Sequence, residues 1–515
     1  MKMDRYADLL VIGGGINGAG IARDAAGRGL AVMLCEQGDL AGATSSASSK
    51  LIHGGLRYLE YGKFCFVREA LREREILLGI APHSVWPARF ILPHDKGLRP
   101  AFVIEAGLFL YDWLAPRKRL ARSRRLDLRS AKEGAPLKGH FTTGFAYSDC
   151  RVDDARLVVL NAVDACERGA SVLTRTRCIA AQREGDHWRV TLLDLREAKT
   201  WTVTARALVN AAGPWAAEGL GGAIGQTMGK KLRLVMGSHI IVARLYEGEQ
   251  SYVLQNDDGR ILFVMPYETD YTLIGTTEIP FAGDPLKARI SEDEIHYLCA
   301  AVARYFRKAP SPGDVAESFS GVRPLYDDGA KKASAATRDY SLELDAPSGS
   351  APLLSVYGGK LTTYRRLAED ALALLSPHLM APRDEPWTAT APLPGGDMED
   401  GDFGRFLGVL HAAYPWLDPA TVTRLARAYG TRARRLLGDA QSIGDLGISF
   451  GAGLFQAEID YLIAQEFALT PGDILWRRSK LSLHLSREQI ARVTAYVETI
   501  VKEQMRTAQS PARNR

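Results

Sequence analysis

A chain of 515 residues is longer than one hydrophobic core usually supports, so two or three domains are expected, and 46% hydrophobic residues is ordinary for a globular protein. A formal charge of +5 is small for this length and gives no reason to expect nucleic acid as a partner. Six cysteines (Cys35, Cys65, Cys150, Cys166, Cys178 and Cys299) lie without CxxC or metal-ligand spacing, which argues against a disulfide framework, predicts no metal and fits a reducing cytosol. The first strand begins too near Met1 to leave room for a signal peptide, and no run of 18 apolar residues predicts a membrane-spanning helix.

The first unit spans residues 8–36. An apolar run, 9–12, meets Gly13-x-Gly15-x-x-Gly18; a helical stretch carrying Ile16 and Asn17 runs to Arg28; Gly29 breaks it; a second apolar run, 31–34, delivers Glu36 and Gln37. This is the pattern of a βαβ dinucleotide unit. Gly13 permits the tight turn, Gly15 lets backbone approach a pyrophosphate, and Gly18 lets helix and strand pack closely. The N–H groups at the helix start favour phosphate there. Glu36, eighteen positions after Gly18, suits a ribose diol. The glycine pattern alone is a weak signal, with a ligand-free turn as the plain alternative. Strand, helix and acid in register favour the dinucleotide.

Next comes a hydroxyl-rich stretch with Thr44, Ser45, Ser46 and Ser49, followed by Lys50, Leu51, His53, Gly54, Gly55, Arg57 and Tyr58. Alone it reads as a flexible loop; after a βαβ unit it is a candidate second wall of the cofactor site. Residues 64–78 have helical spacing. Residues 100–116 are apolar and aromatic, and 117–125 hold six Arg or Lys in nine positions. An amphipathic helix is predicted over 153–168, with Asp153 or Asp154 in its first turn. Runs 171–181, 187–193 and 200–203 read as a small β-meander leading to an apolar strand that ends at Ala212, Gly213 and Trp215. Residues 231–279 are strand-rich, a helix is expected near 291–307, and 353–375 reads as strand, Gly358-Gly359 turn and helix, a second anion-favouring helix start. Residues 381–400 read as a linker, 401–505 as a helical domain without evident chemistry, and 506–515 as a frayed basic tail. Asp418-Pro419 and Thr470-Pro471 mark helix starts, and Ser486-x-x-Gln489 is a capping box.

The motifs VIGGGINGAGIA, ATSSASSKLIHGGLRYLE, YSDCRVDDARL, LVNAAGPW, GSHI, IGTTE, SGVRPL and LLSVYGGKLTTYR occur in order, and with them the chain resembles the aerobic FAD-dependent glycerol-3-phosphate dehydrogenases from about residue 7 onward. The basic stretch 117–125 lies outside those motifs. The resemblance implies an α/β architecture: an FAD-binding Rossmann-like domain of the amino-acid-oxidase type, a mixed α/β substrate cap and a C-terminal all-helical domain. It implies an FAD-binding part made of 1–75, 151–230 and 351–380, a helical insertion over 76–150 as a candidate membrane-contact region, and the cap over 231–350. It further implies oxidation of sn-glycerol 3-phosphate to dihydroxyacetone phosphate by hydride transfer from C2 to FAD N5, with electrons passed to membrane quinone.

Carried over by motif, Gly13, Gly15, Ile16, Asn17, Gly18, Glu36 and Gln37 hold the ADP half of a non-covalent FAD. Thr44, Ser45, Ser46, Ser49, Lys50, Leu51 and His53 run along the pyrophosphate and flavin. Ala212, Gly213 and Trp215, with Gly358, Gly359, Lys360, Leu361 and Thr362, complete the flavin pocket. For the substrate the resemblance implicates Arg57, Tyr58, Arg323, Arg338 and Lys360, cations that suit a phosphate dianion. Because imidazole titrates nearest neutral pH, His239 is the first candidate base and His53 the second, a structural histidine being the plain alternative for each. Arg323 and Lys360 would assist catalysis electrostatically. An amino-acid or glycine oxidase, or a non-catalytic flavin sensor, is the competing reading. A quinone acceptor and the 101–125 stretch point to an anionic lipid surface and to peripheral attachment at the cytoplasmic face of the membrane, with a buried core helix beside a solvated basic loop as the plain alternative for that stretch; a homodimer is compatible with this reading.

Overall fold

The computed structural model describes residues 5–95, 99–217, 232–326 and 339–509. The βαβ unit forms as expected: strand Arg5–Ile12 lies parallel to Val32–Cys35, and helix Ile16–Gly27 connects them. Strand Lys199–Asn210 first closes the meander, antiparallel to His187–Asp194, and then continues parallel to Arg5–Ile12 until Asn210 stands opposite Ile12. Leu353–Tyr357 pairs with its far side in parallel, and Ser341–Asp345 closes that edge antiparallel. Ile12, Asn210 and Tyr357 therefore end at one edge, the carboxyl edge where doubly wound sheets bind ligands. The expected strand 171–181 divides at Arg175, whose φ is 52°: Ser171–Leu173 pairs with Val32–Cys35, whereas Thr176–Glu184 joins the meander.

A second, mixed sheet holds Leu232–Ala243, Ser251–Gln255, Ile261–Tyr267, Tyr271–Gly275 and Val315–Tyr326. It also takes Val85–His94 and Thr143–Val152, which pair antiparallel from Val85/Val152 to His94/Thr143. The helical reading of 76–150 is thereby corrected; among the described residues there, only the end of helix Phe64–Ile80 and helix Ala101–Trp113 are α-helical. Pro87 and Pro93 conceal the strand in the sequence, because proline argues against an inner strand. Both lie outside the short parallel ladder, Phe90 and Ile91 against Ser251 and Tyr252, that Val85–His94 makes on its other side.

Helix Asp154–Glu167 starts on an Asp153 cap that accepts from Arg156 N. The expected amphipathic pattern is absent, since every residue from Asp154 to Ala165 is buried and the final two, Cys166 and Glu167, are exposed. Its charges enter the interior as pairs: Asp154 with Lys50, Asp164 with Arg23, and Arg156 with Glu466. The expected linker is also packed rather than loose. The Arg23 and Arg168 guanidiniums cover the Trp387 ring at 4.8 and 4.1 Å, and Thr388 joins the buried Arg365 and Glu369 pair.

Beyond it, helices Phe403–Ala413, Pro419–Tyr429, Gln456–Gln465 and Arg487–Gln509 surround a core of their own. Asp418 and the Ser486/Gln489 box cap as predicted, and Thr470 exchanges bonds with Asp473. A small hairpin, Ser449–Gly451 with Leu454–Phe455, interrupts the helices, and the last helix continues past the expected start of the tail. This domain is locked to the first by Arg175 on Asp473 and by Arg477 and Arg478 on Asp39.

Candidate active site

Four chain segments meet where the first sheet ends, and close backbone contacts fix them. A Cβ on Gly18 would lie 1.9 Å from Gly13 O, and one on Gly13, whose φ is +111°, would lie 2.5 Å from Ala211 O. These two glycines weld turn, helix and the Ala212–Gly213 segment together. Gly15 is different, since its nearest neighbour is Ser45 Oγ at 3.2 Å; that hydroxyl accepts Ile16 N at 3.0 Å and brings the hydroxyl loop to the helix start. Asn17 Nδ2 donates to Gly358 O at 3.1 Å, and His53 N donates to Thr362 Oγ1 at 3.1 Å, drawing in the Gly358–Gly359 turn. Gly213, Gly358 and Gly359 all have positive φ, with Trp215 and Leu361 partly buried beside them.

Glu36 is fixed by two backbone N–H groups. Its Oε2 accepts Gly14 N at 2.7 Å and its Oε1 accepts Gly38 N at 2.6 Å, leaving each oxygen a lone pair for a hydroxyl. Burial pushes its pKa up, and those two N–H bonds pull against the rise. Gln37 follows it, partly buried. The donor set fits FAD: an acid at the second strand's end, a helix start flanked by glycine, and two further glycine turns closing over the same edge.

Beside these walls lies a cleft between the second sheet and residues 51–61. His53, Arg57, Tyr58, Thr276 and Glu278 form its polar end, and Phe90, Leu92, Val253, Ile261 and Phe263 an apolar wall. Arg323 reaches that polar end by donating to Glu278 at 3.2 Å and Thr276 Oγ1 at 3.1 Å. Enclosure draws its pKa below the ordinary guanidinium value. The Lys360 ammonium stands 4.1 Å over the Tyr58 ring and 3.9 Å over the Phe66 ring. Arg338 lies outside the described residues.

Three of the predicted site residues are tied to neighbouring segments. Lys50 is buried and donates to Asp154 at 2.8 Å and Ser46 O at 3.0 Å, so its charge is committed to the helix below. Thr44 Oγ1 donates to Val322 O at 2.7 Å, tying the loop to the Arg323 strand. His239 does not line the cleft; it is 1% exposed, stacks on Phe319 at 4.9 Å, and shares a hydrogen bond of 2.9 Å with Ser49 Oγ. Burial, with Arg323 and Lys50 nearby, holds its pKa well below the usual value, so its ring is neutral.

Sequence reasoning missed Asp149, Tyr147, Gln255, Arg260, Thr276 and Glu278 as cleft residues. The motifs YSDC and IGTTE contain four of them, but nothing local announces which side of a strand faces a ligand. Arg260, at a hairpin tip, is held by Asp258 and lies 4.0 Å over the Tyr297 ring.

Comparison with known proteins gives the family. Residues 8–365 match the FAD dependent oxidoreductase family and 386–510 the C-terminal domain of alpha-glycerophosphate oxidase. The glycerol-3-phosphate dehydrogenase of Pseudomonas aeruginosa is 53% identical, covering 96% of this chain and 95% of its own. The D-erythritol 1-phosphate dehydrogenase of Brucella abortus is 50% identical, covering 97% and 98%. Among solved structures, the glycerol-3-phosphate dehydrogenase from Bacillus halodurans complexed with FAD superposes with a TM-score of 0.75 at 28% identity, over 98% of this chain and 95% of that one. The glycine cradle, the Glu36 carboxylate and this near full-length similarity agree, and the chain belongs to the FAD-dependent glycerol-3-phosphate dehydrogenase family.

Proposed function

We propose that the chain oxidises sn-glycerol 3-phosphate to dihydroxyacetone phosphate. The observation that carries this reading is the gathering of His53, Arg57, Tyr58 and the Arg323 partners Thr276 and Glu278 in one cleft joined to the flavin turn through Thr362. Arg57, Arg323 and Lys360 supply charge for a phosphate dianion. FAD, which the Gly13–Gly18 turn, Glu36 and the Gly358–Gly359 turn would hold, would supply N5 as acceptor for the C2 hydride and a route for the electrons to membrane quinone. His53 is the base that takes the hydroxyl proton, because it lines the cleft; His239 stands behind the loop and orients Ser49.

The enzyme works attached peripherally to the cytoplasmic face of the membrane. No helix among the described residues is long and apolar enough to cross it. Helix Ala101–Trp113 instead exposes Phe102 (71%), Phe109 (64%) and Trp113 (57%), with Arg122 over the Trp113 ring at 4.3 Å and Arg124 and Arg125 exposed nearby. Apolar rings beside cations suit an anionic lipid surface.

A second reading, a longer polyol phosphate as substrate, is favoured by the 50% identity to the Brucella relative. Anaerobic bleaching of the flavin separates these readings. Glycerol 3-phosphate should bleach it, glycerol, glycine and a D-amino acid should not, and faster bleaching by D-erythritol 1-phosphate would transfer the assignment. His53→Asn should slow bleaching by about 10²- to 10⁴-fold with flavin retained; a parental rate would return the proton to another base.

A further inference from the structure

We infer that Tyr111 is a positioning residue of the substrate cleft, and that through it helix Ala101–Trp113 sets where His53 and Arg57 stand. The inference rests on reading the cleft as the substrate site. Tyr111 is 1% exposed and faces inward from a helix whose other side carries the exposed rings of Phe102 and Phe109. Its hydroxyl accepts the Gly54 N–H at 2.8 Å and donates to Asp149 at 2.8 Å. Gly54 is the residue next to His53 and three before Arg57.

The other acceptor near that amide is a poor one. Asp149 Oδ1 lies 3.5 Å from Gly54 N, too long for a good bond. Asp149 is itself fixed, pairing with buried Arg74 at 2.5 Å, while Arg74 also donates to Ser148 O at 3.1 Å. Packing closes the remaining freedom, because a Cβ on Gly54 would come within 2.5 Å of Leu71 and 2.6 Å of the Tyr111 hydroxyl. Helix Phe64–Ile80, strand Thr143–Val152 and helix Ala101–Trp113 thus converge on one backbone amide of the loop that carries the cleft's histidine and arginine. Without the hydroxyl, the amide and Asp149 each lose a partner, and the loop relaxes toward the carboxylate. A displacement of about 1 Å in a reacting group costs up to about 10²-fold in rate.

The test is Tyr111→Phe in the full-length, FAD-loaded enzyme, with kinetics expressed per bound flavin. Anaerobic bleaching by glycerol 3-phosphate should show kcat/KM lowered by about 10- to 100-fold. Reoxidation of the reduced flavin by a soluble dye should stay parental, and competitive inhibition by inorganic phosphate should weaken in parallel. Leu108→Ala, on the same buried side of the helix, should lower Tm yet keep parental kcat/KM per flavin. Gly54→Ala moves the same loop from the other end and should reproduce the kinetic signature if Tyr111→Phe fails to accumulate. Parental kcat/KM in the variant, or an equal loss in Leu108→Ala, would reduce Tyr111 to a packing residue. The inference is then overturned while bleaching of the parent still supports the substrate assignment.

Discussion

Two helices in this molecule reverse the usual relation between polarity and depth. Helix Asp154–Glu167 carries charge inside: Asp154 is 0%, Arg156 1% and Asp164 5% exposed. Helix Ala101–Trp113 carries aromatic rings outside. The difference lies in partners, since each charge of the first helix meets an opposite one from another segment, namely Lys50, Glu466 and Arg23. The second leaves Phe102 and Phe109 71% and 64% exposed, while Arg122 stands over the Trp113 ring. Depth here follows whether a group has found its partner within the chain, and the exposed apolar face is where the proposed membrane contact would lie.

The buried helix is the more fragile side of this comparison. Arg156→Ala should cost about 3–5 kcal/mol, because Glu466 is left charged and alone at the domain junction. Denaturant unfolding of the FAD-loaded protein would measure it. The double variant Arg156→Met with Glu466→Leu should recover most of the loss, since an apolar pair of similar volume removes the desolvation cost. If the single variant is as stable as the parent, the pairing account of this helix fails.

One neighbour of Arg156 breaks the pairing rule, and it yields a pH signature. His83 is fully buried, and neither ring nitrogen has a hydrogen-bond partner among the described residues. Burial, with Arg156, Arg427 and Arg432 close by, lowers its pKa from 6.5 to about 3. The fold therefore favours the neutral ring: the associated stability is present above pH 6.5 and is lost progressively as pH falls toward 3. At about 1.4 kcal/mol per pH unit the loss reaches roughly 2 kcal/mol by pH 5. His83→Phe should remove that component, so that the Tm difference between parent and variant narrows or inverts from pH 7 to pH 5. A constant difference would show that His83 does not titrate in this way.

What could be read from the chain follows the same division between local and distant partners. The Gly13 to Glu36 unit was legible because backbone sterics over a few residues dictate it, and the caps at Asp418 and Ser486 for the same reason. The resemblance named the segments around the flavin, but the pairs that fix them are long-range. That the Lys50 charge meets Asp154 could not be read locally, because the two stand 104 residues apart. Asp149 and Tyr111 went unassigned because the Tyr111 hydroxyl joins a helix, a strand and the loop at Gly54 that are far apart in the chain. The Val85–His94 strand was hidden by its prolines, and the packed role of Trp387 by the proline and glycine around it. The apolar character of 101–113 was plain in the sequence; that its rings face outward required the fold.

The smallest effect sharpens the exposed side. Phe109 is 64% exposed and stands 6.0 Å from Trp113, so Phe109→Ser removes little internal packing. Stability should change by no more than about 0.5 kcal/mol. If the ring enters the headgroup region, losing it should weaken binding to anionic vesicles by about 1.5 kcal/mol, the lower end for an aromatic side chain, or roughly tenfold. Turnover with a soluble dye should stay parental while reduction of a lipid-embedded quinone slows. Leu108→Ala gives the opposite signature, lower stability with vesicle binding kept, because Leu108 is 2% exposed on the inner side. Cosedimentation with vesicles of mixed neutral and anionic lipid reads both variants. Should Phe109→Ser bind as the parent does and lose stability instead, the face is covered by protein and the contrast between the two helices disappears.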